Sequence, residues 1–204
     1  MFPFFESIAL RNGKILNLVE HQSRINHCFK IYYPGYIAIN LADIEIISDQ
    51  NKFELVKLKF QYNHNEYSMG YSKYTTQRIK EFFLYPLPSF IYNFKFSDRL
   101  FFDSLKCKIP IDSEYIFLQN NLLTDTSYSN LIFQDGNSWV TPKECLLNGC
   151  MREKLIKEKK ISERSITTED LKYYSGFKLI NALNEFESSP LYPIDIISHS
   201  LIKL

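Results

Sequence analysis

The sequence predicts an α+β fold made of two subdomains. Short segments with alternating apolar residues indicate strands, and only a few stretches between them have helical spacing. Around Tyr74–Gln77 the periodicity is lost, which indicates a linker. We therefore expect a small α/β subdomain over residues 1–76. A larger, β-rich subdomain should follow over residues 77–204 and contain Lys95.

The first half begins with a predicted β-hairpin. An apolar run over residues 5–10 leads into Arg11–Lys14, whose central Asn-Gly pair is typical of a two-residue turn. Asn17 then precedes an amphipathic helix that should end before Pro34, because apolar residues recur at i, i+3, i+4 and i+7 from Ile25. Further along we expect a short helix over residues 40–47 and strands over residues 53–62 and 66–74.

The second half is predicted to be mostly strands. Residues 90–97 alternate in such a way that a strand would carry four aromatic side chains on one face and Lys95 on the other. A helix should open near Asp98. Thr167 and Asp170 have the spacing of a capping box for another helix. We also expect strands over residues 115–119, 130–134 and 138–141, a basic amphipathic helix over 150–160 and a last apolar run over 179–183.

Composition and charge exclude several classes of protein. Of the 204 residues, 45% are hydrophobic and 23% are charged, which is a globular and not a disordered composition. Lys and Arg (24) almost balance Asp and Glu (23), so the positive surplus of a nucleic-acid-binding protein is missing. The apolar stretch Phe82–Phe94 contains two prolines and is too short to span a bilayer. We expect a cytoplasmic protein that binds neither nucleic acid nor membranes.

The cysteine and histidine residues predict no metal site. The four cysteines form no C-x-x-C pair, and Cys145 and Cys150 have no histidine nearby to complete a zinc set. His21 and His27 do not have the i, i+4 spacing of a helical metal pair. The sequence also lacks a phosphate-binding loop, a G-x-G-x-x-G motif and a nucleophile elbow.

Three fragments, in order along the chain, carry the functional information. They are FFESIALRNGKILNLVEHQSRI, IYNFKFSDRLFFDSL and DTSYSNLIFQDGNSWVTPKECLLNGCMREKL. Together they resemble the class IV aminotransferases, a family that includes branched-chain and D-amino-acid aminotransferases and aminodeoxychorismate lyase. The resemblance implies the D-amino-acid aminotransferase-like fold, an enzyme, pyridoxal 5'-phosphate (PLP) as cofactor and a homodimer.

The second fragment places Lys95 where the family keeps the lysine that binds PLP covalently. This chemistry needs an amine that can be neutral near pH 7 and can later carry a proton. The context Lys-x-Ser-Asp-Arg is similar to the Lys-Tyr-x-Asp-Arg of a short subgroup of the family. The resemblance therefore makes Lys95 the catalytic residue.

The other fragments imply the residues that hold the cofactor. Arg24 would bind the phosphate through its planar guanidinium, although by itself it could be a solvated helix residue. Asp125 would pair with the pyridine nitrogen, where relatives most often have Glu. Gly149 either begins a phosphate-binding helix or is a turn residue, and Asn181 either binds phosphate or is a buried amide. The full set implied by the resemblance is Arg24, Lys95, Asp125, Ser129, Asn130, Gly149, Cys150, Met151 and Asn181.

The substrate is less well defined. Relatives usually carry an arginine for the substrate carboxylate on the strand that corresponds to residues 58–62, where this chain offers Lys59 as the nearest cation. Phe5 is an aromatic residue against which the product could pack. The short chain resembles the subgroup linked with aminodeoxychorismate lyase, which releases pyruvate from 4-amino-4-deoxychorismate to give 4-aminobenzoate in folate biosynthesis. A class IV aminotransferase acting on branched-chain or D-amino acids and a non-catalytic member of the fold are the alternatives.

Overall fold

The computed structural model describes residues 1–46, 55–87 and 90–198. Residue contacts divide the chain into two units, Met1–Thr76 with Phe94–Asp98 and Gln77–Asn93 with Arg99–Leu204. The division after Thr76 falls at the predicted linker. Lys95, however, lies in the first unit and not in the larger second unit. The reason is backbone pairing, because the carbonyl oxygen of Lys95 accepts a hydrogen bond from the N–H of Phe5 at 3.0 Å.

The described residues of the first unit form a four-stranded antiparallel sheet with one α-helix. Its elements are β1 (Phe4–Arg11), β2 (Lys14–Ile15), α1 (Leu18–Tyr32), β3 (Val56–Tyr62) and β4 (Tyr67–Lys73). The strand order is β2-β1-β3-β4. The predicted hairpin forms, and its turn residues Asn12 and Gly13 have φ angles of 52° and 72°, the left-handed conformation that an Asn-Gly turn requires.

Helix α1 packs its apolar stripe against the sheet. Ile25, Cys28 and Phe29 are buried at the predicted i, i+3, i+4 spacing. They join Ile8 of β1 and Leu58 of β3 in one hydrophobic cluster. Burial of these two apolar faces against each other is the main stabilising contribution in this unit.

The short helix predicted over residues 40–47 is a single 3-10 turn, Leu41–Asp43. The side-chain oxygen of Asn40 accepts a hydrogen bond from the N–H of Ala42 and caps the turn. Beyond the turn the chain is extended, and Ile44 and Ile46 pack against the hydrophobic cluster. Alternate residues of an extended chain point the same way, so the core favours this conformation over a longer helix. Residue 47, and residues 53–54 of the predicted β3, lie outside the described residues.

The strand predicted over residues 90–97 does not form. Phe90 and Tyr92 pack against Phe102 in the second unit, with ring centroids 5.6 and 5.0 Å away. Phe94 and Phe96 pack against Phe4 in the first unit, at 6.3 and 5.4 Å. The four aromatic side chains therefore pack into two separate hydrophobic cores. Strand pairing in this segment is limited to one bridge between Phe96 and Phe4.

The described part of the second unit contains two four-stranded sheets and two α-helices. One sheet has the order β12-β5-β6-β7 and the other has the order β10-β9-β8-β11. In this unit the helices α2 and α3 connect the parallel pairs β5–β6 and β9–β10. The bounds are β5 Glu81–Pro86, α2 Leu100–Lys106, β6 Ser113–Gln119, β7 Leu122–Leu123, β8 Asn130–Asp135, β9 Ser138–Pro142, α3 Cys150–Lys157, β10 Ser162–Arg164, β11 Gly176–Ile180 and β12 Ile197–Ser198.

One hydrophobic cluster joins the two sheets of the second unit. It includes Phe82 and Ile116 from one sheet and Phe133 and Phe177 from the other, and all four side chains are fully buried. The cluster fixes the end of β7 and the start of β8. The connection over residues 124–129, which contains Asp125, is thereby held at both ends.

The remaining differences from the sequence prediction concern short elements. The helix expected from Thr167 is a 3-10 helix, Glu169–Tyr173, and Asp170 accepts hydrogen bonds from the N–H and the hydroxyl of Thr167, both at 2.8 Å. The edge strands β7, β10 and β12 were not predicted, because two or three residues carry too little periodicity to indicate a strand. Within residues 1–46, 55–87 and 90–198, no helix combines the length and the apolar character that crossing a bilayer requires.

Candidate active site

The predicted site residues fall into two groups, one in each unit. The first unit contains Phe5, Arg24, Lys59 and Lys95. The residues of the second unit are Asp125, Ser129, Asn130, Gly149, Cys150, Met151 and Asn181.

Arg24 lies in a buried hydrogen-bonded cluster on the helix-facing side of β1. Its Nε donates to Oε1 of Glu6 at 2.8 Å, and its Nη2 donates to Oε2 of the same carboxylate. Nδ1 of His21, one turn earlier on α1, lies 2.6 Å from Oε2 of Glu6. The side chains of Glu6 and His21 are fully buried, and that of Arg24 is 12% exposed. Arg24 is therefore not a solvated helix residue.

Glu6 is held in its charged form by these neighbours. Burial by itself raises the pKa of a carboxyl group. The positive charge of Arg24 and the hydrogen bonds from His21 and Arg24 outweigh burial and lower the pKa of Glu6 to about 2. The cluster is thus ionic within an otherwise apolar core.

Lys95 and Lys59 approach the same aromatic ring. Nζ of Lys95 lies 4.6 Å from the ring centroid of Phe5, and Nζ of Lys59 lies 5.7 Å from it. Strand alternation places Phe5 and its neighbour Ser7 on the face of β1 opposite Glu6, and Ser7 pairs with Lys59 of β3. The aromatic face of Phe5 is thus a common surface for two amines in cation–π geometry.

Asp125 is the acidic residue of the second group, and its side chain is buried. It is 4% exposed. Its Oδ1 accepts a hydrogen bond from the amide of Asn130 at 2.7 Å, and its Oδ2 accepts one from the N–H of Leu147 at 2.9 Å. Burial raises the pKa of Asp125 to about 6, although both hydrogen bonds oppose the rise. A cation or an N–H donor beside this carboxylate would favour its ionised form.

Gly149 and Asn130 are in close contact. A Cβ atom built on Gly149 would lie 2.1 Å from Oδ1 of Asn130, so this position has no room for a side chain. Nδ2 of Asn130 also donates to the carbonyl oxygen of Leu147 at 2.9 Å, which fixes the amide in place. Gly149 is the residue immediately before α3, where backbone N–H groups lack partners within the helix.

Cys150 and Met151 begin α3, and their side chains are buried. Met151 packs with Ile132, Leu155 and Ile180 in a second hydrophobic cluster of this unit. The thioether of Met151 therefore packs in the hydrophobic core, and its backbone N–H is the group suited to bind an anion.

Asn181 is neither a strand amide nor an isolated polar group. It follows the end of β11, and its Oδ1 accepts hydrogen bonds from the N–H groups of Leu183 and Asn184 at 2.8 and 2.9 Å. Its Nδ2 donates to Oγ of Ser129 at 2.9 Å. Asn181 thus organises a turn and connects it to the residue that precedes Asn130.

Sequence reasoning missed Glu6 and His21. A signal for Glu6 was present, because it alternates with Phe4 and Ile8 on the buried side of a strand, and an acid in that position needs a cationic partner. His21 stands three residues before Arg24 and thus on the same face of α1. Nothing in the spacing of the three residues along the chain indicates that they meet.

Comparisons with known proteins identify the family. The chain matches the family of class IV aminotransferases over residues 3–187. It is 34% identical over 187 residues to an uncharacterized protein of Haemophilus influenzae, and the match covers 90% of this chain and 99% of that protein.

Comparison with solved structures indicates the same family. A crystal structure of a candidate 4-amino-4-deoxychorismate lyase from Haemophilus somnus 129PT is 32% identical and has a TM-score of 0.82, covering 91% of this chain and 98% of that one. The branched-chain amino acid aminotransferase from Escherichia coli shares the fold at 14% identity, with a TM-score of 0.66 over 96% of this chain and 76% of that one. These findings confirm the predicted fold class and family. The chain belongs to the class IV aminotransferases, a family of PLP-dependent enzymes.

Proposed function

We propose that the protein is a PLP-dependent lyase that releases pyruvate from 4-amino-4-deoxychorismate and leaves 4-aminobenzoate, a reaction of folate biosynthesis. The main support is the 32% identity, over 91% of this chain, to a candidate lyase of that specificity. The fold does not separate a lyase from an aminotransferase, because members with either name share it.

Three features of the second unit support a PLP site. Asp125 is a buried acid whose pKa is raised to about 6 by burial, and a cationic partner such as a protonated ring nitrogen would stabilise its ionised form. Its Oδ1 accepts a hydrogen bond from Asn130 and its Oδ2 accepts one from Leu147, and an ionised carboxylate has about four acceptor positions in all. Gly149 directly precedes α3, and the first backbone N–H groups of that helix, which lack partners within it, could bind a phosphate. Ser129, Asn130 and Asn181 hold the surrounding loops in place.

The first unit offers a cation and an amine. Arg24 is fixed by Glu6 through two of its five N–H donors, and we assign it to the cofactor phosphate. Nζ of Lys95 is the amine that we expect to attach to the cofactor aldehyde. PLP, when bound, supplies the electron sink for the charge that remains when a substrate proton leaves.

Lys95 is also suited to the proton transfers of this reaction. The ring of the substrate loses one proton beside its amino group, and the departing enolpyruvyl group gains one as it becomes pyruvate. A single amine that first accepts and then donates a proton at Nζ balances both steps. Phe5 would pack against the ring, and Lys59 would attract a substrate carboxylate.

Product analysis tests the lyase assignment. The purified protein with PLP and 4-amino-4-deoxychorismate should release pyruvate and 4-aminobenzoate in equal amounts. Amino transfer from branched-chain or D-amino acids to 2-oxoglutarate, without pyruvate release from aminodeoxychorismate, would instead identify an aminotransferase. A protein that shows neither reaction and no visible absorption band with PLP would be a non-catalytic member of the family.

Borohydride reduction tests the lysine assignment. Reduction of the protein with PLP, followed by peptide mapping, should place the label on Lys95, and Lys95→Ala should abolish both the label and the activity. Lys80→Ala is the matched control, because the Lys80 side chain is 79% exposed and pairs with Asp112. A label on a lysine other than Lys95 would contradict the assignment. The homodimer and the cytoplasmic location remain predictions.

A further inference from the structure

Glu6 is a buried carboxylate with no role in the reaction described above. We propose that Glu6 is a positioning residue that holds the guanidinium of Arg24 in the orientation that receives the cofactor phosphate. The proposal rests on the proposed function, in which Arg24 binds that phosphate.

The pairing with Glu6 involves one defined edge of the Arg24 guanidinium. Glu6 contacts Nε and Nη2, which form the side edge of the guanidinium plane. The end edge, formed by Nη1 and Nη2, therefore faces away from Glu6. Two parallel hydrogen bonds fix the plane of the group as well as its position, so the direction of this end edge is set before a ligand arrives.

His21 in turn fixes the carboxylate. Its Nδ1 lies 2.6 Å from Oε2 of Glu6, and both side chains are fully buried. With partners on α1 at both residue 21 and residue 24, the carboxylate cannot rotate without losing a hydrogen bond. The three side chains thus form one rigid group connecting β1 to α1.

Stability alone does not account for an acid at this position. Glu6 lies on the buried side of β1 between Phe4 and Ile8, where an apolar residue would pack without a desolvation cost. A buried ion pair often contributes no more to folding than an apolar replacement of similar size. Its specific contribution is orientation, which an apolar residue could not give to Arg24.

An electrostatic role and a positioning role of Glu6 predict opposite effects on phosphate binding when its negative charge is removed. If only the net charge matters, Glu6→Gln should strengthen phosphate binding, because the positive charge of Arg24 is no longer compensated. If positioning matters, the same change should weaken it, because the guanidinium loses its fixed plane. The proposal requires the second result.

Affinities for PLP and for pyridoxal, which lacks the phosphate, separate these effects. We expect Glu6→Gln to lower the affinity for PLP roughly tenfold, comparable to the loss of an outer partner of a metal ligand, with less than about a twofold change for pyridoxal. Arg24→Gln should reduce the preference for PLP at least as much, and Glu6→Gln should have no further effect in that background. Glu114→Gln is the control, a buried acid of the second unit that accepts hydrogen bonds from Tyr115 and Ser127.

The outcomes distinguish the two proposals. An unchanged or increased preference for PLP in Glu6→Gln overturns the positioning role while Arg24 keeps its assignment. No PLP binding by the wild-type protein, or an unchanged preference in Arg24→Gln, means that the proposed function itself fails.

Wild-type protein provides a test that does not depend on folding of the variants. In the nitrogen-15 NMR spectrum of the apoprotein, the Nε–H signal of Arg24 should be present, slow to exchange and little changed by PLP, since this N–H already donates to Glu6. A signal that becomes protected only when PLP is added would show that Arg24 is not positioned in advance, and would overturn the proposal.

Discussion

Gly149→Ala provides the most direct test of the packing around Asp125. The new Cβ would lie 2.1 Å from Oδ1 and 3.3 Å from Cγ of Asn130, which is closer than such atoms can approach. Asn130 must therefore move, although its amide is bound to Asp125 and to the carbonyl oxygen of Leu147. The backbone at Gly149 has φ −71° and ψ 146°, values that alanine adopts readily, so the cost arises from the contact and not from the backbone.

The magnitude follows from the bonds that Asn130 would lose. A hydrogen bond to a charged group contributes about 1.5–3 kcal/mol and a neutral one about 1 kcal/mol, so losing both destabilises the protein by about 2.5–4 kcal/mol. Alanine is also a poorer N-cap than glycine, and this adds a smaller cost. Urea unfolding of the apoprotein should show a lower midpoint with an unchanged slope.

Two further variants make this test specific. Gly70→Ala is the matched control, because a Cβ there meets nothing within 4 Å, and its stability should change by less than about 0.5 kcal/mol. In an Asn130→Ala background the clash is absent, so Gly149→Ala should cost only the N-cap contribution. Equal costs of Gly149→Ala in both backgrounds, or a cost no larger than that of Gly70→Ala, would refute the reasoning.

Three other predictions concern charged groups. The pKa of Glu6 falls from an ordinary 4.5 to about 2 in the folded protein, so its stabilisation is present above about pH 4.5 and is lost as the pH falls toward 2. Urea midpoints across this range should show a loss of up to about 3 kcal/mol that is absent in Glu6→Gln. The pKa of Asp125 is raised to about 6, and carbon-13 NMR of the apoprotein should show this midpoint and its decrease when PLP binds; an unchanged midpoint would contradict the pairing with the ring nitrogen. Arg152 is 3% exposed and donates to the carbonyl oxygen of Pro142 and to Glu163, so Arg152→Lys should cost about 2–4 kcal/mol in urea unfolding. The matched change at the surface pair, Arg164→Lys, should cost less than about 1 kcal/mol, and equal losses would contradict the assigned contacts.

Local chemistry accounts for the elements that the sequence predicted well. The hairpin depends on Asn12 and Gly13, whose tolerance of positive φ does not require the rest of the chain. The apolar spacing of α1 and the alternation of β3 determine their buried faces in the same way. The ordered fragments around Arg24, Lys95 and Asp125 were sufficient to indicate the family that the comparisons confirmed.

What the sequence alone could not determine depends on contacts between distant residues. The alternation of residues 90–97 predicts a strand, but a strand needs a partner along its length, and the competing aromatic cores around Phe4 and Phe102 prevented one from forming. Glu6 and Arg24 are 18 residues apart, and only the packing of α1 on β1 brings them within hydrogen-bonding distance. Likewise, Gly149 has no room for a side chain because β8 carries Asn130 to it. Short-range periodicity thus determined most of the elements, and the resemblance of the ordered fragments indicated the family. The pairing of charges and the close packing at the site were decided by tertiary structure, because these interaction energies act only between groups in contact.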